Sequence, residues 1–449
     1  MKKNVDLLNS SIDSSFRKFA IPLALSFLIN MLYSWVDLYY VSFLGDSAVA
    51  ALGISERVLF LIISIGSGFS IGSGIIIARK FGEGNSSEAN RISTQSVSII
   101  LILGAIMATG LYLSLDYIMK LLGMSKEVAE LSKIYFSALA FGMPFHFTIF
   151  HFNMILRSVG NSYYPMLIMI IGNVLNIIIA PMFIFGFLFI PRFEIMGAGI
   201  GTAISHFLGS IIGLIIIRMG KTPIKLDYSD FKIDLSVFKR IFRLGVPASL
   251  QMIAVSTASM GLAANANHFG TTVLTAFVLG LRIDLFMNMI IISFGAAMEI
   301  ASAQNLGAGN IDRIFAYFKS GVKQMTTLMS GLGLIIFFFG KYIVLMFSKN
   351  PAVLHIVDIY LKIAAFSYIP FAIGILSIRV ISGAGDYFLS LFIVAAVLIF
   401  LQLPLAFIIS HSFNSQNGIW TAQLISMITF AIVGYWQLNQ RKWLNKKSI

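Results

Sequence analysis

From residue 19 to residue 36 the chain reads FAIPLALSFLINMLYSWV with no charged residue, and Asp37 follows directly. A helix needs about 20 mainly apolar residues to cross the hydrocarbon core of a bilayer, and apolar runs of that length recur throughout. Bounded by charged residues or by Gly- and Pro-rich breaks, they begin near residues 18, 55, 93, 131, 163 and 196. A second set begins near 242, 280, 318, 354, 387 and 418. Strands of a membrane barrel would be shorter and would alternate with a period of two, so the runs read as helices. The pattern predicts an all-α polytopic membrane protein with twelve transmembrane helices.

The longest polar stretch, RMGKTPIKLDYSDFKIDLSVFKR (residues 218–240), falls at the midpoint. It predicts an N-terminal six-helix lobe over 1–220, a cytoplasmic linker over 221–240 and a C-terminal six-helix lobe over 241–449. The halves match at one constant offset of 225 residues. Pro22 pairs with Pro247, Gly45 with Gly270, Arg57 with Arg282, and Gly160 with Gly385. Gly82, Gly84 and Asn85 pair with Gly307, Gly309 and Asn310. Leu–Ile matches mean little in so apolar a chain, whereas Pro, Gly, Asn and Arg are rare enough to count. Six spans per half is an even number, so both bundles enter the membrane the same way round. Such parallel repeats suit alternating access about a cavity between them.

Composition agrees. Hydrophobic residues make up 58% and charged residues 11%, against about 25% charged in a soluble domain. The net charge of +13 is a matter of topology. With the N-terminus inside, most Lys and Arg fall on the cytoplasmic face, which places both termini there and leaves nucleic acid nothing to explain. The start, MKKNVDLLNSSIDSSFRKF, lacks a signal-peptide cleavage site and reads as an amphipathic surface helix. The absence of Cys excludes disulfides and thiol chemistry. FGEGN and LGAGN follow no strand and precede no Lys-Ser/Thr, so they read as turns rather than a nucleotide site. His146 and His151 lie five apart, off the spacing of a helical metal pair, and no HExxH occurs. No metal, cofactor or catalytic motif is expected, which argues against an intramembrane enzyme or a receptor.

The motifs carry a family resemblance from about residue 15 to 440. YSWVDLYYVSFLGDSAVAALGIS resembles the Asp-containing first helix of the multidrug and toxic compound extrusion (MATE) family. ASAQNLGAGN (301–310) and its first-half counterpart ARKFGEGN (78–85) are similar to that family's motifs. LRSVGNSYYPM (156–166) and ISGAGDYF (381–388) fall at its turns after spans four and ten. The resemblance implies an antiporter of the bacterial inner membrane, expected to act as a monomer. It would export amphipathic, often cationic drugs in exchange for protons or sodium. It also implies a coupling role for Asp37, joined in the DinF-like branch by a fifth-span Asn and Asp and a sixth-span Thr. Those positions here are Asn176, Ala180 and Thr202. Ala180 departs from the pattern, and the seventh- and tenth-span acids of the NorM-like branch are missing too. Asp37 is then expected to stand alone as the coupling carboxylate of its lobe. A flippase for a lipid-linked or oligosaccharide substrate is the alternative, and it would call for a basic cavity and extra spans.

The residues themselves sharpen this. A carboxylate inside a membrane costs a few kcal/mol, so it usually serves a function, and withdrawal from water favours its neutral form. The repeat supplies a control: the position equivalent to Asp37 is Leu262, so the shared architecture does not require an acid there. Asn176 fits either a cation or a helix neighbour. Thr202 has a counterpart, Thr421, at an offset shortened by a six-residue loop deletion, and reads as a packing residue. Met31, Tyr33, Tyr40, Gln251, Asp284 and Glu299 are candidates for a substrate cavity, although Glu299, near a helix end, reads first as water-facing. Arg57 and Arg282 read as helix-end anchors.

Overall fold

The computed structural model describes residues 4–228 and 234–445, except the side chains of residues 32, 33 and 445. Among the described residues, twelve helices are long and apolar enough to cross a membrane. They are α1 (Ile12–Ser42), α2 (Asp46–Gly82), α3 (Ser86–Leu121), α4 (Lys126–Ser158), α5 (Tyr163–Phe185) and α6 (Ile195–Arg218). The second six are α7 (Leu235–His268), α8 (Thr271–Gly307), α9 (Ile311–Val344), α10 (Pro351–Gly383), α11 (Tyr387–Ser412) and α12 (Asn417–Asn439). Within α11 a π-helical segment, Ala396–Gln402, precedes Pro404, whose missing N–H cannot continue the regular ladder. Among the described residues the one extended pairing is the Phe187–Ile190 bridge between α5 and α6.

The repeat reappears as geometry. Gly84 and Gly309 end α2 and α8 with φ of 76° and 75°, in the left-handed region open to glycine. The next amides turn back identically, Asn85 N to Lys80 O at 3.0 Å and Asn310 N to Asn305 O at 2.8 Å. FGEGN and LGAGN are thus helix-ending turns of one design, and Asn85 goes on to cap α3 through the Glu88 amide.

The chain forms two compact units. The first takes in Leu25–Ser249 and the segment ending at Val5, and the second takes in Asp6–Ala24 and Leu250–Ile449. Two helices therefore divide between units. Each does so three residues after its proline, α1 after Pro22 and α7 after Pro247, at repeat-equivalent positions.

In the first unit, glycines let helices approach closely. A Cβ on Gly142 of α4 would lie 2.5 Å from Ala203 Cβ of α6, and one on Gly201 of α6 would lie 2.6 Å from Ala180 Cα of α5. The linker runs along α3, with Lys225 N donating to Asn90 Oδ1 at 2.8 Å and Asp227 N to Thr94 Oγ1 at 3.1 Å. In the second unit the segment before α1 is packed rather than lying as a surface helix. Leu7 is buried, and its carbonyl accepts from Asn305 Nδ2, Arg313 Nε and Tyr317 Oη at 3.0–3.2 Å. Asn305 belongs to the ASAQNLGAGN motif, so that motif also anchors the N-terminal segment.

Candidate functional site

Three helices of the first unit bring the sequence candidates Asp37, Asn176 and Thr202 together. Thr202 Oγ1 of α6 donates to Asp37 Oδ2 of α1 at 3.1 Å, and Asn176 Nδ2 of α5 donates to Thr202 Oγ1 at 3.4 Å. All three side chains are buried, Asp37 at 4% exposure. Thr202, read from its repeat as a packing residue, thus bonds directly to the carboxylate. The trio is placed by the α5–α6 seam, where the bare backbone of Gly201 lets Ala180 sit against it. Ala180, where the family pattern has an acid, is fully buried in that seam.

The trio is not hydrogen-bonded to completion. Asp37 Oδ1 and Asn176 Oδ1 are buried without a partner, an arrangement that natural structures rarely leave unexplained. The free carboxylate oxygen can take a proton, and together with the amide oxygen it can accept a small cation.

Asp37 is also not the only acid in its neighbourhood. Glu56 of α2, whose carboxylate is hydrogen-bonded to Ser34 of α1, lies within electrostatic reach of Asp37. Sequence reasoning passed over it in favour of its neighbour Arg57. The available signal was an acid ten residues into an apolar span.

The remaining candidates lie elsewhere. On α1, Met31 is half-buried, and Tyr40 donates its hydroxyl to the Ile177 carbonyl of α5 at 3.2 Å. The Tyr33 side chain lies outside the described residues. Gln251 is buried on α7, in the second unit.

Asp284 and Glu299, also in the second unit, form separate clusters. Asp284 of α8 accepts from Tyr360 and Tyr368 of α10, the latter at 2.7 Å, and from Gln423 Nε2 of α12 at 3.5 Å. The Tyr360 ring lies 4.6 Å from that of Trp420, which stacks on Phe277. Asp284 thus ties three helices together through neutral donors. Glu299 is not water-facing. It is buried at 3% exposure, pairs with Arg379 Nη1 of α10 at 3.3 Å and accepts from Tyr387 of α11. The helix-end position suggested water, but helices α10 and α11 cover it.

Two six-helix repeats and an incompletely bonded membrane carboxylate are the equipment of a transporter. The MatE family model matches residues 22–182 and again 247–408, the second match beginning at the repeat offset. The chain belongs to the MATE family of multidrug efflux transporters, not to a family of enzymes. It is 28% identical over 444 residues to the probable multidrug resistance protein YoeA of Bacillus subtilis, covering 96% of this chain and 95% of YoeA. It is 26% identical over 439 residues to an FAD transporter of Shewanella oneidensis, covering 97% of this chain and 96% of that protein. The solved structure of a MATE protein in complex with MaL6 superposes with a TM-score of 0.92 at 24% identity, covering 99% of both chains.

Proposed function

We propose that this protein is a proton-coupled antiporter that exports amphipathic, often cationic compounds, with Asp37 as the coupling carboxylate. The observation that carries the reading is the buried Asp37–Thr202–Asn176 trio with its two unpartnered oxygens. A proton on Asp37 Oδ1 completes the site with one bond. A dehydrated sodium ion would need several oxygen ligands, and this trio offers few that are unspent. Protonation removes the charge of Asp37 and with it the charge-assisted bond from Thr202. The proton drives alternating access to the extent that its affinity for this site differs between the two conformations. The set Asp37, Asn176 and Thr202 supports the DinF-like branch, and the Lys/Arg distribution supports cytoplasmic placement of both termini.

The test uses the full-length protein in proteoliposomes with ethidium as probe. A pH gradient should drive ethidium efflux, and Asp37→Asn should abolish it without lowering the amount of protein inserted. Efflux driven by a sodium gradient alone would move the coupling to sodium, and full efflux in Asp37→Asn would end the coupling role.

A further inference from the structure

The sequence set His146 aside because its spacing to His151 suits no metal site, yet the fold gives it another partner. His146 Nδ1 of α4 lies 3.3 Å from Nδ1 and 3.2 Å from Nε2 of His206 on α6. The two rings meet edge to face, with centroids 4.4 Å apart.

Position makes the pair more than a contact. Thr202, His206 and Ser210 follow at four-residue intervals on α6 and so lie along one side of the helix. Thr202 is bonded to Asp37, and Ser210 donates to the Phe145 carbonyl, next to His146, at 2.8 Å. The histidines therefore sit one turn from the Asp37 site, toward the Arg218 end of α6.

Packing does not ask for them. Glycines already hold the α4–α6 seam close, with Gly142 facing Ala203, Gly209 facing Ile149 and Gly213 facing Phe152. The repeat-equivalent positions in the second half are Phe371 and Ile425, so the same seam can be built without imidazoles. His146 Nε2 is buried with no partner, as are Asp37 Oδ1 and Asn176 Oδ1. Unpaired polar atoms spread along one stretch of a bundle are what buried water satisfies. The other titratable or charged groups buried on α4 are Tyr135, His151 and Arg157, and His151 Nε2 is engaged by Ser96 of α3 at 2.8 Å.

We propose that His206 and His146 relay the proton between Asp37 and the Arg218 end of the bundle, an inference that rests on the proton-coupled reading above. In the release direction the Asp37 O–H bond breaks and a ring nitrogen of His206 takes the proton through one water. His206 gives up a proton to His146 Nδ1, which lies 3.2–3.3 Å from both of its ring nitrogens. His146 releases a proton from Nε2 to water, and both rings end neutral.

The experiment measures pH-gradient-driven ethidium efflux and ethidium affinity for wild type, His206→Gln, His146→Gln and His146→Ala. Glutamine keeps an interhelical hydrogen bond but cannot carry a proton. Each glutamine variant should lose roughly 100-fold in efflux rate, the scale of a lost proton-transfer group, with ethidium affinity unchanged. Added imidazole should restore His146→Ala. Wild-type rates in both glutamine variants would show that the pair is only interhelical adhesion. If a glutamine variant does not fold, His146→Ala decides: failure of imidazole to rescue it, with normal ethidium affinity, also overturns the relay. A wild-type protein that responds to sodium but not to a pH gradient would instead refute the proton-coupled reading, and the relay with it.

Discussion

Gly201 sets the distance between the two helices that carry Asn176 and Thr202, so Gly201→Ala tests the site through its scaffold. The new Cβ would lie 2.6 Å from Ala180 Cα and 3.0 Å from Ala180 Cβ, against the roughly 3.5–4.0 Å at which carbon atoms pack. The obstacle is backbone, so α5 and α6 must part by about 1 Å. Overpacking of this kind costs about 1–3 kcal/mol. The Asn176–Thr202 bond, already 3.4 Å long, would stretch beyond hydrogen-bonding range. A displacement of about 1 Å at a working site can cost on the order of 100-fold in rate. Gly172→Ala is the control, because it lies on α5 one turn before Asn176 and a Cβ there meets nothing within 4 Å. Alanine in an open helical position should stabilise by roughly 0.5–1 kcal/mol. Thermal unfolding in detergent and ethidium efflux are measured on both. Gly201→Ala should unfold earlier and transport poorly while Gly172→Ala matches wild type or better. Indistinguishable variants would refute the argument that the α5–α6 spacing builds the site.

Other outcomes follow from single contacts. Thr202→Ser keeps the hydroxyl on Asp37 and should transport, whereas Thr202→Val should lose most pH-driven efflux. Equal activity would mean that the bond is incidental. Glu299→Gln leaves Arg379 uncompensated in a buried site and should destabilise by about 3–5 kcal/mol. The double change to Met at both positions should recover most of that in a thermal unfolding assay. Tyr368→Phe removes one buried donor to Asp284 and should cost about 1–3 kcal/mol, visible as a lower unfolding temperature. Leu7→Ala should cost about 2–5 kcal/mol and increase amide exchange over residues 6–11, because Leu7 is what buries that segment.

Much of this protein is legible in its pattern of residues. Twelve apolar runs of spanning length predict twelve helices because a bilayer leaves no other way to satisfy a backbone. Rare residues at a constant offset exposed the repeat, since Gly84 and Gly309 share a turn that needs a left-handed backbone. Asp37 stood out because an acid in an apolar helix is costly enough to require a reason. The tertiary structure alone decided which side chains meet. His146 and His206, sixty positions apart, become neighbours only through the α4–α6 seam. Glu299 seemed water-facing because sequence records its distance from a helix end, not the helices packed over it. Thr202 looked like packing because a repeat cannot show that one copy faces a carboxylate and the other does not. The exchange of half-helices after Pro22 and Pro247 was equally hidden, because hydropathy marks where a helix runs but not which neighbours it packs against.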